Sequence, residues 1–150
     1  MRGREYPDTP MVGVGVIVFD NDSRILLIQR GNEPSKGLWA LPGGLVELGE
    51  ETKAAAKREV AEECSIEVEI GDVANVVDLI LKDPTDKIRY HYILIDYLAT
   101  HVAGDIDPQT DVTDARWVRE NELDLYDIPD VTRKVINQSL EKRKESARYN

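Results

Sequence analysis

Cysteine is nearly absent from these 150 residues, and no apolar run approaches the length needed to cross a bilayer. The lone thiol, Cys64, excludes an intrachain disulfide, so nothing points to an oxidising compartment; its position suits a small buried apolar residue on a helix. Arg2, Glu5, Pro7, Asp8 and Pro10 precede the first apolar stretch, which leaves no secretory core and makes the cytoplasm the expected location, with no membrane contact. Positive charge is also scarce. Nineteen Lys and Arg against 29 Asp and Glu give a net charge of -10, which lacks the basic footprint that binding a nucleic acid polymer requires. The same field would repel a small polyanion unless cations came with it. The two histidines, His91 and His101, read as surface or satisfied core residues. Without internal repeats or low-complexity tracts, the length suits one hydrophobic core. A single domain over 1–150 is expected, with flexible ends at 1–9 and 145–150.

What the chain has in abundance is carboxylate, and one segment concentrates it. Residues 43–66 run from a glycine pair into a helix that carries Glu59, Glu62 and Glu63 near its end. At the helical period these three fall within an arc of about 100°. Like charges three or four residues apart each cost a few tenths of a kcal/mol, and anions near a helix C-terminus oppose the macrodipole. A hard divalent cation, Mg²⁺ or Mn²⁺, is the simplest compensation, since such ions prefer carboxylate and carbonyl oxygen. The plainer alternative is a solvated acidic face diluted by Lys57 and Arg58, the commoner fate of a charge run. The flanking spacing decides against it.

From Gly44, five residues lead to Glu50, and seven more lead to Arg58-Glu59-Val60-Ala61-Glu62-Glu63-Cys64-Ser65-Ile66. This resembles the Nudix hydrolase signature at every position except Ser65, where the pattern has glycine. The resemblance implies an α/β fold, specifically an α/β/α sandwich with a mixed β-sheet. It also implies hydrolysis of nucleoside diphosphates linked to a further group, with Mg²⁺ or Mn²⁺ and a water attacking phosphorus. Carried over to this chain, it makes Glu59, Glu62 and Glu63 metal ligands, helped by the backbone carbonyl of Gly43. Glu50 would orient the site or share the metal, and Arg58 would pair with a motif glutamate. Glu59 is the first choice for the base; Asp111 and Asp114 are alternatives, and either could complete the metal shell instead. Ser65 bears a conformational cost of roughly 1 kcal/mol if it adopts the left-handed backbone usual just past a helix end.

Outside the motif, residues 11–19 and 25–29 read as a hairpin around the turn Asp20-Asn21-Asp22-Ser23. Leu38 to Leu41 form a short apolar segment that Pro42-Gly43-Gly44 ends as a turn. Thr52 is the expected N-cap of the motif helix, with Ala56, Val60 and Cys64 as its buried stripe. Residues 73–81 and 88–98 read as strands, 104–114 as an acidic loop, and 115–118 as a short strand. One helical turn at 120–123 and a final helix at 130–144 follow, the helix buried through Val131, Val135, Ile136 and Leu140 and fraying from Glu141. A calcium loop at 105–116 is rejected, since Thr110 and Arg116 stand where glycine and glutamate are needed.

Arg30, Trp39, Arg89, Tyr90 and Tyr92 are the candidate substrate contacts, because guanidinium binds phosphate and aromatic rings stack on bases. Strand alternation separates Arg89 and His91 from Tyr90 and Tyr92. The substrate is a small-molecule nucleotide. ADP-ribose or a similar compound is favoured, a nucleoside or deoxynucleoside triphosphate is the alternative, and a nucleotide sensor without turnover is the reading from another class. A homodimer involving the strand that starts at Met11 is also considered.

Overall fold

Residues Met11–Phe19, forming β1, are apolar on both faces because they occupy the middle of a sheet covered on both sides. The computed structural model describes residues 3–33 and 35–148; the expected flexibility of 1–2 and 149–150 lies outside them. Val14, Val16 and Val18 pack against Ala55, Ala56, Val60 and Cys64 of α1 (Thr52–Cys64). Ile17 and Phe19 turn the other way, toward Val135, Ile136 and Leu140 of α2 (Asp130–Arg148). The period-two alternation of one strand therefore feeds two cores.

Around β1 the remaining strands are β2 (Ile25–Arg30), β3 (Trp39–Ala40), β4 (Gly43–Leu45), β5 (Glu67–Lys82), β6 (Ile88–Ala103) and β7 (Val112–Val118). The sheet runs β3-β2-β1-β6-β5, with β4 paired to β1 and β7 to β2. Strands β1 and β6 are parallel from Met11 opposite Tyr92 to Phe19 opposite Thr100, whereas the other pairs are antiparallel. This is the expected mixed sheet between helices. No described helix is long and apolar enough to cross a membrane.

Several local expectations change. The 11–29 hairpin closes at a turn organised by Asp20, whose carboxylate accepts the Asp22 and Arg24 amides and pairs with the Arg24 guanidinium at 2.7 Å. Its strands meet only where Phe19 faces Ile25; β4 takes the next stretch of β1, and β2 turns to β7. Pro42-Gly43-Gly44 is consequently the start of a strand rather than a plain turn. Glu51, not Thr52, occupies the N-cap position of α1; the Thr52 hydroxyl is 2.7 Å from that of Tyr97. Val131 is half exposed, and α2 continues through Arg148 instead of fraying at Glu141. Because β1 is paired along both edges, it has no free edge for a second copy of the chain.

Candidate active site

Arg58 organises the acidic end of α1. Its Nε and Nη2 donate to the two oxygens of Glu50 at 2.7 and 2.9 Å, a fork-to-fork pair. Nη1 reaches Glu59 at 2.8 Å and Glu62 at 3.2 Å, while Nη2 also donates to the Leu45 carbonyl of β4 at 3.1 Å. One guanidinium thus ties three motif glutamates to the glycine strand. The Arg58 hydrogen bonds hold the Glu50 carboxyl down at about 2, and the glutamates in turn raise the Arg58 guanidinium. Bare Cα atoms make this contact possible: a side chain at Gly44 would put its first carbon 2.5 Å from the carboxyl carbon of Glu59, and one at Gly43 would overlap the Val14 carbonyl oxygen.

Glu63 faces a different set of neighbours. Its Oε1 accepts the Gly43 amide at 2.8 Å. Burial pushes the Glu63 carboxyl up to about 7, with Glu59 and Asp111 adding to the rise and the Gly43 amide and Arg30 opposing it. Asp111 arrives there because residues 104–111 fold over the C-terminal end of α1. The Asp107 and Gln109 amides donate to the Cys64 and Glu63 carbonyls, and the Asp111 carbonyl accepts the Gly31 amide at the end of β2. These contacts supply partners that a helix end lacks by itself. Ser65, just past α1, takes the left-handed backbone at φ 63°, ψ 25°, as its place in the motif suggests.

No three His, Cys, Asp or Glu side chains already converge as a cation cage among the described residues. Arg58 draws Glu50, Glu59 and Glu62 onto itself instead. The donor chemistry nevertheless fits a hard divalent ion: the groups around Gly43 are carboxylates, and Glu63 is held beside Glu59 and Asp111, which repel it. Asp114 is not brought into this group. It pairs with Arg116 at 3.1 Å and accepts the Ala115 amide.

Behind β4, on the α2 side of the sheet, lies a cavity of about 440 Å³. Arg30, Trp39, Tyr90 and Tyr92 line it, as does the glycine strand, so four of the five substrate candidates share one space. Tyr90 and Tyr92 stack at 6.2 Å between centroids, and Trp39 meets Tyr126 edge-on at 4.9 Å. Arg89 is the exception: it does not line the cavity and pairs with Glu5 at 3.1 Å, on the same oxygen that accepts the Tyr90 hydroxyl at 2.9 Å. Sequence reasoning missed Asp96, which also lines this space. Its signal was present, as an acid set between Ile95 and Tyr97 in an otherwise apolar strand.

The two covered faces and the arginine-gathered glutamates against a glycine strand define an α/β/α sandwich protein with an acidic helix end on one side of β4 and an aromatic-lined cavity on the other. Residues 9–138 match the NUDIX domain model, and the chain belongs to the Nudix family. Nudix hydrolases generally use divalent metal ions. An ADP-ribose pyrophosphatase of Methanocaldococcus jannaschii is 35% identical over 76% of this chain, which spans 64% of that relative's length. The nucleoside triphosphatase NudI of Salmonella agona is 32% identical over 79% of the chain and 89% of its own. The crystal structure of a MutT Nudix hydrolase from Burkholderia pseudomallei superposes with a TM-score of 0.76 at 32% identity, covering 87% of this chain and 98% of that one.

Proposed function

We propose that the protein hydrolyses a phosphoanhydride bond in a small nucleotide, with ADP-ribose or a similar nucleoside diphosphate derivative as substrate. The observation that carries this reading is the adjacency of two spaces across β4: Arg58-bound glutamates on one side, an aromatic-lined cavity on the other. A nucleoside fits the cavity, and its phosphates reach the carboxylates past Gly43 and Gly44. Similarity to the Methanocaldococcus jannaschii enzyme supports ADP-ribose. Similarity to NudI keeps triphosphates as the second reading.

In this reading Glu59, Glu62, Glu63, the Gly43 carbonyl and Asp111 hold Mg²⁺ or Mn²⁺. The ion, when bound, neutralises phosphate charge and stabilises the leaving oxygen. Arg58 positions the glutamates, and Glu50 positions Arg58 through the bidentate pair. Glu59 is the base of choice, because Arg58 and the bare Gly44 Cα fix its carboxylate. Arg30 accepts phosphate at the cavity, and Trp39 and Tyr90 bound the nucleoside. Incubating the protein with ADP-ribose, nucleotide sugars, dinucleoside polyphosphates and triphosphates, with Mg²⁺ or with chelator, tests the assignment by its products. AMP and ribose 5-phosphate that appear with metal and vanish with chelator support it; no product from any substrate refutes it.

The free Cys64 and the acidic surface suit a cytoplasmic protein. A homodimer would form through β5, the outer strand of the sheet, which exposes Val76, Ile80 and Leu81. Sedimentation of wild type against Val76→Lys distinguishes this from a monomer.

A further inference from the structure

Asp96 is an anomaly by elementary physical chemistry. It sits in the centre of the sheet, is 5% exposed, and has Leu94 and Leu98 as its neighbours on the same face of β6. A carboxylate withdrawn from water needs a partner to offset lost hydration. Among the described residues Asp96 has neither a hydrogen bond nor an ion pair, and burial alone pushes its carboxyl up to about 6. Its oxygens are not sealed in. Arg133 Nε is the buried side-chain atom without a partner among the described residues, and Asp96 lines the cavity, so the carboxylate opens into that space.

The neighbouring strand is built to let it do so. Gly15 lies directly opposite Asp96 in the parallel pairing, and a side chain there would overlap Asp96 Oδ1. Gly13, two residues earlier, makes the same allowance for Leu94, whose Cδ2 would lie 2.9 Å from an added carbon. Glycine in the middle of a strand weakens it and marks a place where something else must approach closely. Here two glycines open the floor of the cavity, and the one at 15 seats a carboxylate. The walls around that floor are apolar and aromatic, including Trp39, Val77, Leu79 and Tyr92. Flat apolar walls over a buried carboxylate suit a flat ring that carries N–H donors on its edge.

We propose that Asp96 is the specificity-determining residue of the cavity and accepts a hydrogen bond from the exocyclic amino group of a nucleobase, selecting an amino purine over its oxo counterpart. The inference rests on the proposed nucleotide-hydrolase reading and names the base that this site takes. A carboxylate offers acceptors only, so it favours the amino group of adenine and repels the carbonyl oxygen of hypoxanthine at the same ring position. An asparagine amide differs, since it turns either its oxygen or its nitrogen toward the base. Discrimination, rather than folding or chemistry, is what Asp96 adds.

The test compares ADP-ribose with inosine diphosphate ribose, and ATP with ITP, in wild type and in Asp96→Asn. Binding is measured by calorimetry without divalent metal and hydrolysis with Mg²⁺. Wild type is expected to prefer the adenine member of a pair by about tenfold or more, the scale of one hydrogen bond to a charged group. Asp96→Asn is expected to bring the two to near equality by improving the inosine compound. Equal handling of both by wild type overturns the inference but leaves the hydrolase reading intact, as does a preference that Asp96→Asn does not change. Selective binding without any turnover supports Asp96 as the base reader while overturning the hydrolase reading. Binding of neither compound together with hydrolysis of neither in the presence of Mg²⁺ overturns both, and equal handling of the pair by wild type overturns the inference even where the variant fails to fold.

Discussion

Replacing Asp96 by asparagine should stabilise the ligand-free protein, by an amount that depends on pH in a prescribed way. Burial raises this carboxyl from 3.8 to about 6, so the folded state holds its proton over a range where the unfolded chain has already released it. Stability from this group is therefore greatest below the unfolded value and is lost as pH rises to about 6, after which the loss is constant. A tenfold change in proton affinity corresponds to about 1.4 kcal/mol, so the full penalty is on the order of 3 kcal/mol. Asparagine retains the shape without the charge and still leaves a polar amide in an apolar cavity, which reduces the gain to roughly 1–3 kcal/mol above pH 7. Urea unfolding of both proteins between pH 4 and pH 8 measures it. Subtracting the curves removes the contributions of Glu50, Glu63 and Asp83, which both proteins share. The difference should be near zero at pH 4 and grow through pH 6. A difference independent of pH, or a destabilised variant at pH 8, would refute the claim that the buried carboxylate lacks a partner.

Gly44→Ala should lower hydrolysis on the order of 10²-fold with little change in melting temperature, because the new methyl occupies the seat of the Glu59 carboxylate. Steady-state kinetics beside a thermal melt checks it, and full activity would show that Glu59 can work from elsewhere. Glu62→Gln should cost a similar factor in turnover, again without unfolding, since its side chain is 54% exposed and meets Arg58 only at 3.2 Å. Metal titration of that variant should show weaker binding. Ser65→Gly should raise stability by about 0.5–1 kcal/mol by relieving a left-handed serine, less what the hydroxyl's bond to the Asp107 carbonyl supplies. Chemical denaturation reads it, and an unchanged midpoint would mean the bond offsets the strain.

The family and the motif helix were legible because their information is local. Helical spacing converts the order Arg58-Glu59, Glu62-Glu63 directly into a shared face, and Gly44 and Glu50 stand at intervals set by the turn that precedes it. The strands from Met11 and Ile25 were legible for the same reason, through apolar runs broken by turn residues. Legibility failed where a role depends on what lies across the sheet. Thr52 has a side chain suited to capping, yet the backbone enters α1 one residue earlier and the hydroxyl serves Tyr97. Arg89 has the chemistry of a phosphate ligand, but it lies where β6 slips its register against β5, and Glu5, 84 residues earlier, takes up its guanidinium.

By itself, the order of residues determined the Nudix motif, the acidic charge, the hard-ligand chemistry and the amphipathic elements, because each follows from spacing along one continuous stretch. Only the tertiary structure decided that Arg58 would gather three glutamates, that Asp111 would come to Glu63, and that Gly15 would face Asp96. Those arrangements join residues far apart in the chain through a parallel strand pair and a loop folded over a helix end. Their energies arise from burial and from partners that no local pattern records.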